Sequence, residues 1–177
     1  MIRAVRAWIA LVAVALVASC GGGDSGLGAD NRFKSYDGPP VTQVVVKKGA
    51  RKMYLVSGRE VVRSYDVSLG SQPAGAKQYE GDGRTPEGLY FIDRKNPRSR
   101  YHLSVGISYP SAQDITHAAQ MGLRPGGDIM IHGLGPEGQR LAQQRRDWTA
   151  GCIAVRDDEI EEIFAMLSPG VPVFIYP

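Results

Sequence analysis

Hydrophobic and polar residues alternate in short runs along the first half of the chain, which is the period of β-strands. Segments 41–47, 52–56 and 61–67 are rich in valine and tyrosine, residue types that favour strands. Two short polar segments that contain a glycine, 48–50 and 57–58, separate them. Strands joined by such turns pair as hairpins, so we predict a three-stranded antiparallel meander.

The second half of the chain predicts three more strands and some helix. Segments 89–93 and 101–107 continue the strand pattern, and 171–176 predicts a closing strand. Ser111 is placed to cap a helix that runs to Met121.

The clearest helix lies near the C-terminus. Its apolar residues fall at positions i, i+3, i+4 and i+7 behind three acidic residues that suit a helix N-terminus; they are Ile160, Ile163, Phe164 and Leu167. Segment 141–146 is a shorter and less regular candidate helix. Composition and periodicity together predict a mainly β protein with one or two short helices.

Composition and charge exclude several classes of function. The net charge of +3 falls to about +1 without Arg3 and Arg6, so no field suited to nucleic acid remains. No internal repeat is present, and the length suits one domain. No His, Cys, Asp and Glu cluster has metal-ligand spacing, and no glycine pattern is typical of phosphate binding, so we predict no metal and no cofactor.

The candidate chemistry centres on Cys152. A cysteine attacks carbonyls as the thiolate, and a histidine can take its proton and return it to a leaving amine. His132 lies at the end of the apolar run 128–131, where a strand would open into a loop beginning at Gly133. The backbone amides of Gly151 and Cys152 are candidate donors for an oxyanion hole. The alternative for each residue is a structural role, as a buried thiol and a strand-end histidine.

These residues resemble the L,D-transpeptidase catalytic domain family. That family carries a histidine, a spacer of 14–17 residues and then Ser/Thr-His-Gly-Cys; here 16 residues separate His132 from the tetrapeptide 149–152, which reads Thr-Ala-Gly-Cys. Segment 81–90 resembles the family's G-D-x-x-T-P-x-G-x-Y motif, and segment 67–70 resembles a strand end of the family. The resemblance covers residues 41–177 and implies a β-sandwich-like fold with the Cys-His site in a cleft.

The resemblance also implies a substrate and a set of residues. Family members act on peptidoglycan stem peptides through a thioester on the cysteine, in cell-wall cross-linking or remodelling. The catalytic positions would be Cys152 and His132. Candidates for substrate binding are Gly133, Arg84, Trp148, Thr149 and Arg156. Asp147 is a candidate to orient His132.

Two departures from the family pattern leave the reaction open. Ala150 stands where the family has histidine, and Ala154 stands where it has asparagine or arginine. The Thr-Ala-Gly-Cys form resembles a Gram-negative subgroup, some of whose members are thought to cut cross-links. Hydrolysis of peptidoglycan cross-links or of peptidoglycan–protein links is therefore the alternative to transfer. A wall-binding lipoprotein without activity is a second alternative, which the retained His132 and Cys152 oppose.

The N-terminus predicts export and lipidation. Residues 1–19 carry two arginines and then twelve apolar residues, too few for a membrane-spanning helix and typical of a signal peptide. Small residues before Cys20 resemble a bacterial lipobox, so Cys20 is the expected lipidation site. Residues 20–40 begin with a glycine-rich stretch and are expected to form a flexible linker to the catalytic domain at 41–177. The resemblance implies a periplasmic protein anchored in the outer membrane.

Substitution of Cys20 by alanine tests the anchor. We expect the Cys20→Ala protein to lose incorporation of labelled fatty acid and to leave the membrane fraction, because stable anchoring requires acyl chains on that sulfur. Metabolic labelling and fractionation measure both effects. A Cys152→Ala protein should label normally, and persistent labelling of Cys20→Ala would contradict the prediction.

Overall fold

The computed structural model describes residues 30–177, which form eight strands and three helices. The strands are β1 (Gln43–Lys47), β2 (Lys52–Ser57), β3 (Glu60–Asp66), β4 (Gly88–Ser99), β5 (His102–Ile107), β6 (Met130–His132), β7 (Ile153–Ala154) and β8 (Pro172–Tyr176). The helices are α1 (Ala112–Gln120), α2 (Gly135–Gln144) and α3 (Asp157–Met166).

All eight strands belong to one sheet in the order β3-β2-β1-β8-β4-β5-β6-β7. The predicted meander of β1, β2 and β3 is confirmed, with antiparallel pairing throughout. The closing strand β8 lies inside the sheet, parallel to β1 and antiparallel to β4. The short strands β6 and β7 pair in parallel at the far end of the sheet.

Strand β4 turns the sheet from one half to the other. Its first residues, 88–91, pair with β8, and its later residues pair with β5 after a register shift between Ile92 and Arg94. Such bulges bend a strand and increase its twist. The sheet curves so far that its two ends meet, because Ser68, just after β3, forms a bridge with Ala154 of β7.

A single hydrophobic core fills the curved sheet. Alternate residues of the strands point inward, as the two-residue period requires. Helix α3 covers the open side and contributes the fully buried Ile160 and Ile163, and its C-cap Leu167 is fully buried as well. The apolar stripe predicted for this helix is therefore its core face.

The fold class predicted from sequence is confirmed as mainly β, with a correction to the helices. Three helices are present within residues 30–177, where one or two were expected. Helix α2 begins at Gly135, six residues before the predicted start at 141. Pro136 lies in its first turn, where the missing N–H of proline costs no hydrogen bond. The helix predicted after Ser111 is confirmed, with a capping box between Ser111 and Asp114.

The N-terminal segment of the described chain, residues 30–36, lies against the domain. Phe33 packs on Phe164 of α3 with ring centroids 6.0 Å apart. Lys34 donates to the carbonyl of Asp158 at 2.9 Å. The predicted signal peptide, Cys20 and residues 21–29 of the predicted linker lie outside the described residues. Within residues 30–177, no helix is both long and apolar enough to cross a membrane.

The long loop between β3 and β4 is anchored by a buried lysine. Lys48 is 2% exposed, and its ammonium donates to the carbonyls of Gly75 and Thr85 and to Glu87, at 2.6, 2.9 and 2.8 Å. Burial lowers the pKa of Lys48, and the Glu87 carboxylate opposes that effect. Thr85 continues the anchor, because its hydroxyl accepts from the N–H of Gly70 at 3.0 Å.

Removing the Lys48 ammonium should destabilise the protein. Lys48→Ala leaves two carbonyls and Glu87 without their donor, and we expect a loss of about 3 kcal/mol in the free energy of unfolding. That value is near the low end for a broken buried pair, because Glu87 stays partly exposed. Urea unfolding measures the loss. The matched control is Lys52→Ala, which breaks the exposed pair with Asp66 and should cost less than about 1 kcal/mol. Equal losses in the two variants would contradict the prediction.

Candidate active site

Two rows of residues cross β4 to β7 on the face of the sheet that points away from the core. In one row Arg94, Gly106 and Met130 are register partners. In the other, Asn96, Ser104, His132 and Ala154 are partners. Ile131 pairs with Ile153, so Cys152, the residue before β7, lies beside Met130.

This register brings Cys152 and His132 to one face as diagonal neighbours. Strand spacing and rise per residue place their Cα atoms roughly 8 Å apart, a separation that an aromatic side chain spans. The two residues belong to segments 20 positions apart, and the parallel β6–β7 pairing joins them.

Cys152 is half-buried, with its sulfur at the end of β6. The Sγ atom lies 3.5 Å from the carbonyl oxygen of Asp128. Burial raises the pKa of the Cys152 thiol and the charge of Asp128 adds to that effect, while the backbone N–H of Met130 and the charge of Lys77 oppose it. The thiol is therefore protonated at neutral pH.

His132 is 3% exposed, and one of its ring nitrogens is bound to the backbone. Nδ1 lies 2.6 Å from the carbonyl oxygen of Gly133. A carbonyl only accepts, so Nδ1 carries the proton and Nε2 is left as an acceptor. Burial lowers the pKa of His132, against the opposing effects of the Gly133 bond and the Asp157 charge. The imidazole is therefore neutral at rest and can act as a base.

Two aromatic rings enclose the imidazole. Tyr101 stacks on His132 with centroids 4.6 Å apart and planes inclined by 27°. Trp148 meets the ring edge-on at 5.7 Å and also contacts Tyr101 at 5.8 Å. These contacts exclude water from the ring, which is the physical source of the lowered pKa of His132.

A tight turn before β7 presents the cysteine. The Thr149 hydroxyl donates to the carbonyl of Cys152 at 2.7 Å and accepts from the N–H of Gly151 at 3.1 Å. Gly151 has a φ of +144°, and a Cβ there would come within 2.8 Å of the Arg84 carbonyl oxygen. Glycine is therefore required at position 151.

In the same turn, one of the two predicted oxyanion donors is already hydrogen-bonded and the other is not. The Gly151 N–H already donates to Thr149. The Cys152 N–H has no hydrogen-bond acceptor within residues 30–177. The Cys152 amide is therefore free to meet negative charge that develops on an attacked carbonyl.

The neutral states of both groups define the chemistry available to this site. A preformed thiolate–imidazolium pair would need a raised histidine pKa and a lowered cysteine pKa, and both shifts are in the opposite direction. The arrangement instead suits transfer of the thiol proton to the imidazole as the sulfur attacks.

The predicted substrate-binding residues occupy varied positions. Trp148 and Thr149 are each 5% exposed and serve to enclose His132 and to hold the turn. Gly133 is buried and supplies the carbonyl that binds His132. Arg84 contributes its carbonyl beside Gly151, and its guanidinium reaches toward the Ala76 carbonyl at 3.5 Å. Arg156 is exposed, caps α3 and pairs with Asp158 at 3.1 Å.

The predicted role of Asp147 is wrong. Its carboxylate pairs with Arg51 at 2.8 Å and accepts from the N–H of Leu69 at 3.0 Å, so it ties the nucleophile segment to the loops after β1 and β3. The carboxylate that acts on His132 is Asp157, which accepts from the N–H groups of Leu134 and Gly135.

The other two histidines form hydrogen bonds with polar side chains. His102 binds Glu161 at 2.8 Å, and His117 contacts Gln78. Within residues 30–177, no group of three or more His, Cys, Asp and Glu side chains is arranged to hold a metal.

Several site residues gave no signal in the sequence. Tyr101, Asp128 and Asp157 reach the site only through strand register and loop packing. Arg94 belongs to the row of residues that leads to Cys152 because the bulge in β4 aligns it with Gly106. Lys77 acts on Cys152 from within a buried pair with Asp82 at 2.8 Å.

Comparison with known proteins gives one family. The sequence model of the YkuD family, the L,D-transpeptidase catalytic domain, matches residues 42–175. The candidate L,D-transpeptidase YafK of Escherichia coli K12 is 30% identical over 151 residues, which are 78% of this chain and 54% of YafK. The chain thus spans about half the length of this relative.

Solved structures support the same fold. The helical cell shape determining protein Pgp2 of Campylobacter jejuni has a TM-score of 0.57 at 28% identity, over 84% of this chain and 51% of that protein. Bd1075 of Bdellovibrio bacteriovorus has a TM-score of 0.54 at 21% identity, over 81% of this chain and 50% of its own.

The pH dependence of alkylation tests the neutral pair. Iodoacetamide reacts with thiolate, and burial raises the pKa of Cys152 above that of a free thiol. We expect the alkylation rate to rise about tenfold per pH unit from pH 6 to beyond pH 9, without a plateau. Peptide mass spectrometry follows modification at Cys152. A plateau between pH 6 and 8 that disappears in His132→Ala would contradict the prediction, because it would reveal an ion pair.

Proposed function

The chain belongs to the L,D-transpeptidase catalytic domain family, and on that premise we propose that it modifies peptidoglycan stem peptides through a thioester on Cys152. The observation that carries the proposal is the shared sheet face of Cys152 and His132, with a half-buried sulfur and a neutral, enclosed imidazole. The chain spans about half the length of its relative YafK, so the substrate and activity stated here are our own inference.

The first half of the reaction uses three groups. The Cys152 sulfur attacks a peptide carbonyl of the stem peptide while Nε2 of His132 takes the thiol proton. The carbonyl oxygen becomes negatively charged and accepts from the Cys152 N–H. When the carbonyl re-forms, the carbon–nitrogen bond breaks and the imidazolium gives its proton to the leaving amine. A thioester remains, and His132 is neutral again.

The second half of the reaction repeats these steps with an acceptor. An amine acceptor gives a new peptide bond, which is L,D-transpeptidation, and water gives a free carboxylate, which is hydrolysis. Hydrolysis is the second candidate function. Ala150 favours it, because this exposed residue, two positions before Cys152, offers no polar side chain to hold an amine acceptor.

We further propose that the domain works from a membrane anchor in the periplasm. Lipidation at Cys20 would leave residues 21–29 between the lipid and Asp30, where the packed segment begins. Nine glycine-rich residues span about 15–18 Å on average. A domain held this close to an outer membrane would reach the wall beneath it.

The central experiment follows the acyl group. The purified protein is incubated with a tetrapeptide stem, with and without an amine acceptor, and intact mass and released products are measured. We expect a mass increase on Cys152 and release of the terminal D-residue. An exchange product with the acceptor identifies transfer, whereas free tripeptide with no exchange product identifies hydrolysis.

Two variants control this experiment. Cys152→Ser should abolish the adduct and reduce turnover by at least 1000-fold, as removal of a nucleophile does. His132→Gln should reduce turnover by about 100- to 10,000-fold, the contribution typical of a general base. Turnover by Cys152→Ser at the wild-type rate would refute the proposed function. Wall binding without any adduct would favour a tethering protein instead.

A further inference from the structure

Arg94 lies in the row of the nucleophile, across the open part of the site face. The row runs from Arg94 through Gly106 and Met130 to the position of Cys152. Three strand spacings separate the backbones of Arg94 and Cys152, roughly 14 Å. The Arg94 side chain extends along this row toward the cysteine, because its Nη2 lies 3.9 Å from the sulfur of Met130.

Gly106 is the residue that permits this path. A Cβ at position 106 would lie 2.8 Å from Cγ of Arg94, 3.1 Å from its Cζ and 2.1 Å from an oxygen of Asp93. Any side chain there would lift the arginine off the sheet. The absence of a side chain at Gly106 therefore lets the Arg94 side chain lie along the sheet toward Met130, the neighbour of Cys152 in the row.

The guanidinium and the thiol contact the same short segment. Nη2 of Arg94 binds the Asp128 carboxylate at 2.8 Å, and the carbonyl of Asp128 lies 3.5 Å from Sγ of Cys152. The cation and the thiol are therefore linked through a single residue, Asp128.

The two carboxylates on Arg94 differ in how firmly they are held. Asp93, adjacent in sequence, accepts a hydrogen bond from Nη1 at 2.7 Å and so fixes that side of the guanidinium. Asp128 has an 89% exposed side chain and binds Nη2 alone. An exposed ion pair of this kind contributes little free energy, so another carboxylate can replace Asp128 at small cost. Lys77 offers no such site, because it is buried in its pair with Asp82.

We propose that Arg94 binds a carboxylate of the acyl-donor peptide, with Asp128 occupying that position in the free protein. The inference rests on the proposed function, since it assigns a subsite to the same thiol. Guanidinium suits carboxylate because the two planar groups can form paired hydrogen bonds. The carboxylate belongs either to the leaving D-residue or to the side chain of the residue that Cys152 acylates; each lies within about one residue of the attacked carbonyl.

The test compares donor peptides in which one carboxylate at a time is amidated. In the full mature chain, we expect Arg94→Gln to raise KM for the free-acid donor by about 10- to 100-fold, the loss of one charge-assisted contact. The value of kcat should change less than threefold. Wild type should discriminate against one of the two amidated donors, which identifies the carboxylate, and Arg94→Gln should lose that discrimination.

Two further variants exclude a purely structural role. Asp128→Asn should lower KM, because it removes the carboxylate that competes with the donor for Arg94. Arg98→Gln, an exposed arginine on the same strand, should behave as wild type. If Arg94→Gln and Asp128→Asn raise KM equally, Arg94 acts only by holding Asp128 and the inference is overturned. Retained discrimination in Arg94→Gln overturns it as well.

Equilibrium binding separates this inference from the proposed function. Calorimetry with Cys152→Ser measures donor affinity without turnover, and adding Arg94→Gln should weaken binding by the same 10- to 100-fold. Undiminished binding in the double variant, or no donor binding by Cys152→Ser at all, overturns the role of Arg94. Wild-type turnover by Cys152→Ser would instead refute the thioester mechanism and leave the binding result to stand by itself.

Discussion

The pairing of β6 with β7 is the constraint on which the site depends. Only two residue pairs define it, Ile131 with Ile153 and His132 with Ala154. Side chains alternate between faces along a strand, so a slip of one residue would turn Cys152 into the core and an isoleucine onto the site face. The buried isoleucines oppose this slip, because exposing them would lose apolar burial. The Ser68–Ala154 bridge holds the pair from its other side. The hydrophobic core thus determines where the sulfur lies.

The electrostatics of the site follow from its enclosure. Tyr101 and Trp148 exclude water from His132, and burial likewise desolvates the Cys152 thiol. Both groups are held in their neutral forms, which need less solvation than an ion pair. Charge therefore appears only when substrate is attacked, and the Cys152 N–H has no acceptor among residues 30–177 that would compete for it. A site of this kind depends on correct placement of the substrate. Binding of a donor carboxylate, the role proposed for Arg94, would contribute to that placement.

Local patterns in the sequence were sufficient for much of the fold. The valine-rich runs and their turns predicted the meander, the four-residue apolar stripe predicted α3, and Ser111 predicted the start of α1. The motif spacing identified Cys152 and His132 as a pair. The alignment of segments that are distant in sequence could not be predicted from such local patterns. The link from Asp147 to Arg51 spans 96 residues, and Arg94 reaches the site through a bulge and a glycine on the next strand. These contacts depend on how distant segments align, which no local pattern encodes.

The central position of β8 has a consequence for the order of assembly. Residues 172–176 lie between β1 and β4 and provide the hydrogen bonds that join the two halves of the sheet. While those residues are still held in a ribosome or a secretion channel, β1 and β4 are both open edges that can pair with other chains. Completion of the barrel-like sheet must therefore follow the emergence of residues 172–176 from that channel, and cleavage within this strand would divide the domain at its middle.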